Sequence, residues 1–153
     1  MVDSFPPAIR QLAKKWGVSL PNDGTNHTLQ LQHESGDAIS LASCNHGSDI
    51  GIHVFSPLPA TAVTDPASLQ CFLLQRTYSS RLGAGIRYGW QADSAQLVLS
   101  CRIAISANEI ELLAMINRLL GHIDAIRAAL PVLQQTETIS NEGLSRLARL
   151  SAR

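Results

Sequence analysis

Several things are missing from this sequence, and each absence narrows what the chain can be. It has no excess of either charge sign: 12 Lys and Arg balance 12 Asp and Glu, so no overall field draws it to nucleic acid. No apolar run approaches the roughly 18–20 residues that span a bilayer, and no hydrophobic leader follows the first Met, so it reads as soluble, unexported and without a membrane partner. The cysteines Cys44, Cys71 and Cys101 are odd in number, widely spaced and form no Cys-x-x-Cys, which fits a reducing cytosol rather than a disulfide framework. There is no Walker loop, no G-x-G-x-x-G, no G-x-S-x-G and no His-Glu-x-x-His, and no internal repeat. What remains is an ordinary globular composition, 45% apolar and 16% charged, over a length that suits one domain with a real core.

Periodicity supplies the architecture. Pro6-Pro7 after Asp3-Ser4 marks a helix start, and Ile9, Leu12, Ala13 and Trp16 fall on one helical face that Gly17 ends. The spacing predicts a first helix over Phe5 to Trp16. Three alternating stretches follow: His27 to His33 through Leu29 and Leu31, Ala38 to Ser43 through Ile39 and Leu41, and DIGIHVF through Ile50, Ile52 and Val54. Short polar turns join them, so they form an antiparallel meander. Thr64-Asp65-Pro66 opens a second helix with two apolar faces, Leu69, Phe72 and Leu73 on one, Cys71, Leu74, Tyr78 and Leu82 on the other. One face suits the sheet and the other needs a second partner.

GIRYGWQ and QLVLSCRIAIS then form a second hairpin, with Ile86, Tyr88 and Trp90 sharing a face. Ser106 and Glu109 read as a capping box that opens a long helix to Leu130, with Leu112, Ile116, Leu119, Ile123, Ile126 and Leu130 in one stripe and Pro131 as its stop. Residues 1–131 are expected to form the domain. Residues 132–153 read as a polar linker and an Arg/Leu tail, either a short helix or disordered. The order helix, three strands, helix, two strands, helix predicts an α+β fold with helices over an antiparallel sheet.

Catalysis and metal binding are weighed at SLASCNHGSDIGIHVF, where Cys44 and His46 lie two residues apart and His53 follows. A nucleophilic thiol needs a nearby base and a depressed pKa. Asn45, Gly47 and Asp49, however, are accounted for by the needs of a hairpin turn. His27 and His33 stand too far apart for the paired spacing of structural zinc sites. The expectation is no catalytic residue, no metal and no cofactor; His53 reads as a strand residue facing away from Ile52, and His122 as a surface residue of the long helix. Arg87 beside Tyr88 and Trp90 could stack on bases, yet two aromatics on one strand face fit a core or an interface better. Unclaimed apolar surface on the first and second helices points instead to a binding protein, a dimer.

The stretch FLLQRTYSSRLGAGIRYGWQADSAQLVLSCRIAIS, through Leu73-Leu74, Gly89, Asp93, Leu97, Leu99 and Ser100, resembles the class I chaperones of bacterial type III secretion, the Tir-chaperone-like family. The resemblance extends over about residues 5–130 and includes the element order α-β-β-β-α-β-β-α. It implies a cytoplasmic homodimer, not an enzyme, that holds the extended N-terminal segment of one or more effectors. It also implies a dimer contact drawn from Leu69, Phe72, Leu73, Leu74, Tyr78, Ile86 and Tyr88. Apolar positions on the first helix and sheet, Leu12, Trp16, Leu29, Leu31 and Ile39, are the expected effector-binding set. The alternatives are an adaptor of the same fold unconnected with secretion, and a small Cys/His enzyme built on Cys44 and His46.

Overall fold

Strand register sorts the side chains of this protein into two unlike faces. The computed structural model describes residues 5–21, 27–58, 65–79 and 85–151, with the backbone path alone at Asn45, Ser79 and 131–151. Its elements are α1 (Pro7–Trp16), β1 (Thr28–Gln32), β2 (Ala38–Cys44), β3 (Asp49–Pro57), α2 (Pro66–Ser79), β4 (Arg87–Gln91), β5 (Gln96–Ala104) and α3 (Glu109–Ser151), with a single 3-10 turn at Asn45–Gly47. The five strands form one antiparallel sheet in the order β1-β2-β3-β5-β4. The α+β architecture and element order are those expected from the periodicity.

Directly opposed residues share a face. Leu29, Leu41, Ile52 and Cys101 make one such row, and Leu31, Ile39, Val54, Leu99 and Tyr88 the next. These rows, with Ile50 and Leu97, meet Ile9 and Leu12 of α1 and the stripe Leu112, Ile116, Leu119, Ile123 and Ile126 of α3 in one buried cluster. Each fully buried aliphatic side chain contributes about 1.5–3 kcal/mol of transfer free energy. Helices α1 and α3 therefore belong on that face. Among the described residues no helix is long and apolar enough to cross a membrane.

The ends of the helices have specific causes. Gly17 takes φ +65°, and Val18 N–H reaches Ala13 O at 2.9 Å, so α1 ends in a left-handed cap. Its first turn starts at Pro7; Asp3-Ser4 lies outside the described residues. At α2, Asp65 Oδ1 accepts from the Ala67 and Ser68 N–H groups at 3.0 and 3.4 Å, as its capping role requires. Leu82 and the end of this helix lie outside the described residues.

Helix α3 corrects the sequence reading at both ends. Its capping box is Asn108 with Glu111, not Ser106 with Glu109: Glu111 N–H donates to Asn108 Oδ1 at 2.9 Å, and Asn108 N–H to Glu111 Oε2 at 2.8 Å. Ala104 is the last residue of β5, so the chain still needs the turn at Ile105 and Ser106 before a helix can begin. At the other end the helix continues through Pro131 to Ser151 rather than stopping at Leu130. A proline removes one N–H donor and strains one turn, but it need not terminate a helix that continues on both sides.

Two polar contacts hold α3 on the sheet. Asp37, in the β1–β2 turn, is almost fully buried and takes a hydrogen bond from Ser35 Oγ at 2.7 Å. Arg127 of α3 meets Asp37 Oδ1 at 2.5 Å and also donates to Ser56 Oγ of β3. Higher up, the Tyr88 hydroxyl and His122 Nδ1 share a hydrogen bond at 3.0 Å, and the two rings meet edge to face. His122 is thus half-buried between α3 and β4, not a surface residue as its sequence position suggested. Burial, then Arg118 and Arg76, push its pKa below the ordinary value.

Removing one partner of a buried ion pair leaves the other uncompensated. Asp37 is the deeper member, with 2% of its side chain exposed against 30% for Arg127. Arg127→Met should therefore destabilise the fold by about 3 kcal/mol, and Asp37→Asn by less, in urea unfolding. For His122, the unfolded chain takes up the proton first as pH falls through about 6.5, so stability declines below that pH. Urea midpoints measured at several pH values should show a shallower acid-side decline in His122→Gln.

Candidate partner-binding surfaces

The sheet has two edges, and they are treated differently. At β4 the outward N–H of Tyr88 donates to Thr77 Oγ1 of α2 at 3.2 Å, so α2 lies along that edge and satisfies it. At the opposite end β1 pairs with β2 alone among the described residues. An edge strand with one bare side is a template for another extended chain.

Next to β1 is an apolar hollow of about 430 Å³, lined by Trp16, Val18, Leu31, Ile39, the β1 side chains Gln30 and Gln32, and His33 with Glu34. It arises because α1 ends at Gly17 just as its last aromatic side chain reaches the sheet margin. Trp16 stays 41% exposed and forms one wall. Of the five residues expected to bind an effector, Trp16, Leu31 and Ile39 are brought together here. Leu12 and Leu29 are not: both are core residues, packed between α1 and the sheet, because their positions in helix and strand point inward. Ile39 is itself nearly buried and serves as the floor.

The second apolar surface is the outer side of α2. Leu69 and Leu73 are buried, Phe72 is half-buried, and Leu74 and Tyr78 are 66% and 72% exposed one turn apart, with Cys71 exposed beside them. The two faces read from the sequence are thus present. Of the seven residues implied for a dimer contact, Leu74 and Tyr78 reach the surface. Leu69, Leu73, Ile86 and Tyr88 support α2 and β4 from within. Thr77, which joins α2 to the sheet edge, gave no sign in the sequence; a threonine in a helix facing an edge strand is its only signature.

At the Cys44–His46 turn, Cys44 closes β2 and His46 sits exposed at φ +55°, a left-handed residue that breaks the regular 3-10 geometry of the turn. His53 faces away from the helices, as the alternation requires, and stacks against Phe55 at 6.4 Å. The Cys101 thiol is buried and its pKa is pushed up to about 11 by that burial, which keeps it protonated and a poor nucleophile.

No protein-family model matches the chain, and no curated protein matches it. Solved structures do. A chain of the crystal structure of the ExsC–ExsE complex aligns at TM-score 0.65 with 14% identity, covering 80% of this chain and 90% of that one. A chain of the HopA1–SchA chaperone–effector complex aligns at 0.59 with 16% identity, covering 78% and 89%. The Yersinia pestis type III secretion chaperone SycH, solved with a stable fragment of YscM2, aligns at 0.57 with 13% identity, covering 76% and 94%. The alignments take in 76–80% of this chain and 89–94% of those chains, and the fold of this chain is that of the class I type III secretion chaperones.

Proposed function

We propose that the chain is a cytoplasmic, homodimeric chaperone that binds the extended N-terminal segment of type III secretion effectors and keeps them soluble and secretion-competent. It performs no chemistry of its own. The observation that carries the reading is the likeness of fold to structures of a secretion chaperone and of a chaperone–effector complex. The bare edge of β1 beside the Trp16 hollow gives that fold a means of doing it. An extended segment would add main-chain hydrogen bonds along β1 and place an apolar side chain against Trp16, Leu31 and Ile39. Each large side chain so buried contributes about 1.5–3 kcal/mol, offset by the cost of ordering the segment. The exposed Leu74–Tyr78 surface of α2 supplies the dimer contact.

The decisive experiment is capture of partners from the native cell, followed by limited proteolysis of what is retained. A protected N-terminal segment of a secreted protein, held by two copies of this chain, is the expected result; a folded cytosolic partner would make the chain an adaptor instead. Trp16→Ala should weaken binding of the captured segment by about 2 kcal/mol, roughly thirtyfold, measured by calorimetry, with little change in the urea midpoint. Leu74→Glu combined with Tyr78→Glu should halve the mass seen by light scattering. In the same variant Cys71 should become open to alkylation, having been shielded in the dimer. An unchanged mass would remove α2 from the contact.

A further inference from the structure

We propose that the helix-free face of the sheet is a carboxylate-binding subsite, which docks an acidic amphipathic segment of the partner polypeptide on Arg87 and Arg102. The inference rests on the reading above for the partner being a polypeptide. The chemistry of the subsite stands on the structure.

Alternation places Arg87, Ser100, His53 and Ser40 in one cross-strand row on this face, and Arg102, Gly51 and Ala42 in the next. Arg87 pairs with Ser100, and Arg102 lies two residues further along β5, so the two guanidinium groups are diagonal neighbours within reach of one ligand. Together with His53, Ser100, Gly51 and Cys44 they line a hollow of about 320 Å³. Gly51 keeps its floor low: a Cβ there would sit 3.4 Å from Cys44 Sγ and 3.6 Å from His53 Nε2.

Asp49 stands in the next row of this face, opposite Ala104. Lys15 and Arg127 have carboxylate partners within ion-pair distance. Among the described residues neither Arg87 nor Arg102 does. Two cations set as diagonal neighbours repel, and a chain of zero formal charge carries no general excess of basic residues that would place them here. Two guanidinium groups lining one hollow with a hydroxyl and an imidazole suit carboxylate oxygens.

The occupant must also use the neighbouring row, where Phe55 and Val98 face each other, half-buried, next to Gly89. A free inorganic anion has nothing to place there. A peptide segment with acidic residues on one side and apolar residues beside them covers both rows, and it would lie across the sheet, apart from the Trp16 hollow on the helix-covered side.

The test uses the full chain, labelled with 15N, and three synthetic peptides: Glu and Leu at helical spacing, the same peptide with Gln for Glu, and the same with Lys for Glu. Expected are amide shifts at Gly51, His53, Ser100 and Arg102 with the Glu peptide, and affinity at least roughly tenfold weaker for the Gln peptide. Raised salt should weaken the Glu complex, since exposed charges are screened. Arg87→Glu with Arg102→Glu should lose the Glu peptide and accept the Lys peptide. Arg87→Gln with Arg102→Gln serves if the reversal perturbs folding, and the Glu-against-Gln comparison needs no variant. Equal binding of Glu and Gln peptides, shifts centred on Trp16, or displacement of the peptide by inorganic phosphate alone would overturn the proposal. So would a change of oligomeric mass in the charge-reversed variant without any peptide binding, which would make the face a contact between copies. Peptide binding as expected, with no secreted partner found in the cell, would refute the chaperone reading and leave the subsite standing. Loss of partner in Trp16→Ala, with none in the arginine variants and no Glu preference, would do the reverse.

Discussion

A five-stranded sheet that buries one face only is the constraint from which the other features of this protein descend. Leu29, Leu41, Ile52, Leu97 and Leu99 point to one side, and the other side is mostly small, polar or charged, with Phe55 and Val98 as its apolar pair. Helices have a reason to dock on the first side and none on the second. Burial of the aliphatic rows supplies the bulk of the folding free energy, so α1 and α3 are committed there. Whatever recognition the molecule performs is left to the edges, to the far side of α2 and to the uncovered face. The fold thus separates stability from binding in space: side chains that touch a partner are not those that hold the sheet together.

The two sheet edges illustrate the separation. Thr77 and the rest of α2 close the β4 edge, so one copy of the chain cannot simply extend its sheet through that edge. The β1 edge has no such cover among the described residues. A chain bound at β1 would be held by groups common to every polypeptide, the main-chain N–H and C=O, and selected by what fits beside Trp16. Such a division suits a protein whose ligands share an extended conformation more than a sequence.

How much of this was legible in the sequence depended on the range of the interaction. Strict alternation in β1, β2, β3 and β5 reported the sheet because an inward Leu or Ile and an outward Ser, Gln or His are local choices repeated along the chain. The two faces of α2 were legible for the same reason. Leu12 and Leu29 looked as suitable for a ligand as Trp16 and Leu31, since apolar character alone does not tell a floor from a wall; the difference is how far α1 reaches before Gly17. Asn108 displaced Ser106 as the cap because β5 stops at Ala104 and the chain spends Ile105 and Ser106 on a turn before the helix can begin. The Asp37–Arg127 and Tyr88–His122 contacts left no trace, as their partners stand far apart in the chain and none has a local motif. The placing of Arg87 diagonally beside Arg102 needed the register of β4 against β5, which alternation does not specify.

Helix α3 closes the core with Leu112, Ile116, Leu119, Ile123 and Ile126, and it is the final element in chain order. During synthesis α1, the meander and the hairpin leave the ribosome first, and the part of the aliphatic rows that α3 covers stays open until α3 follows. The nascent chain therefore passes through an interval in which it is itself an unprotected apolar surface, prone to the aggregation that such surfaces invite.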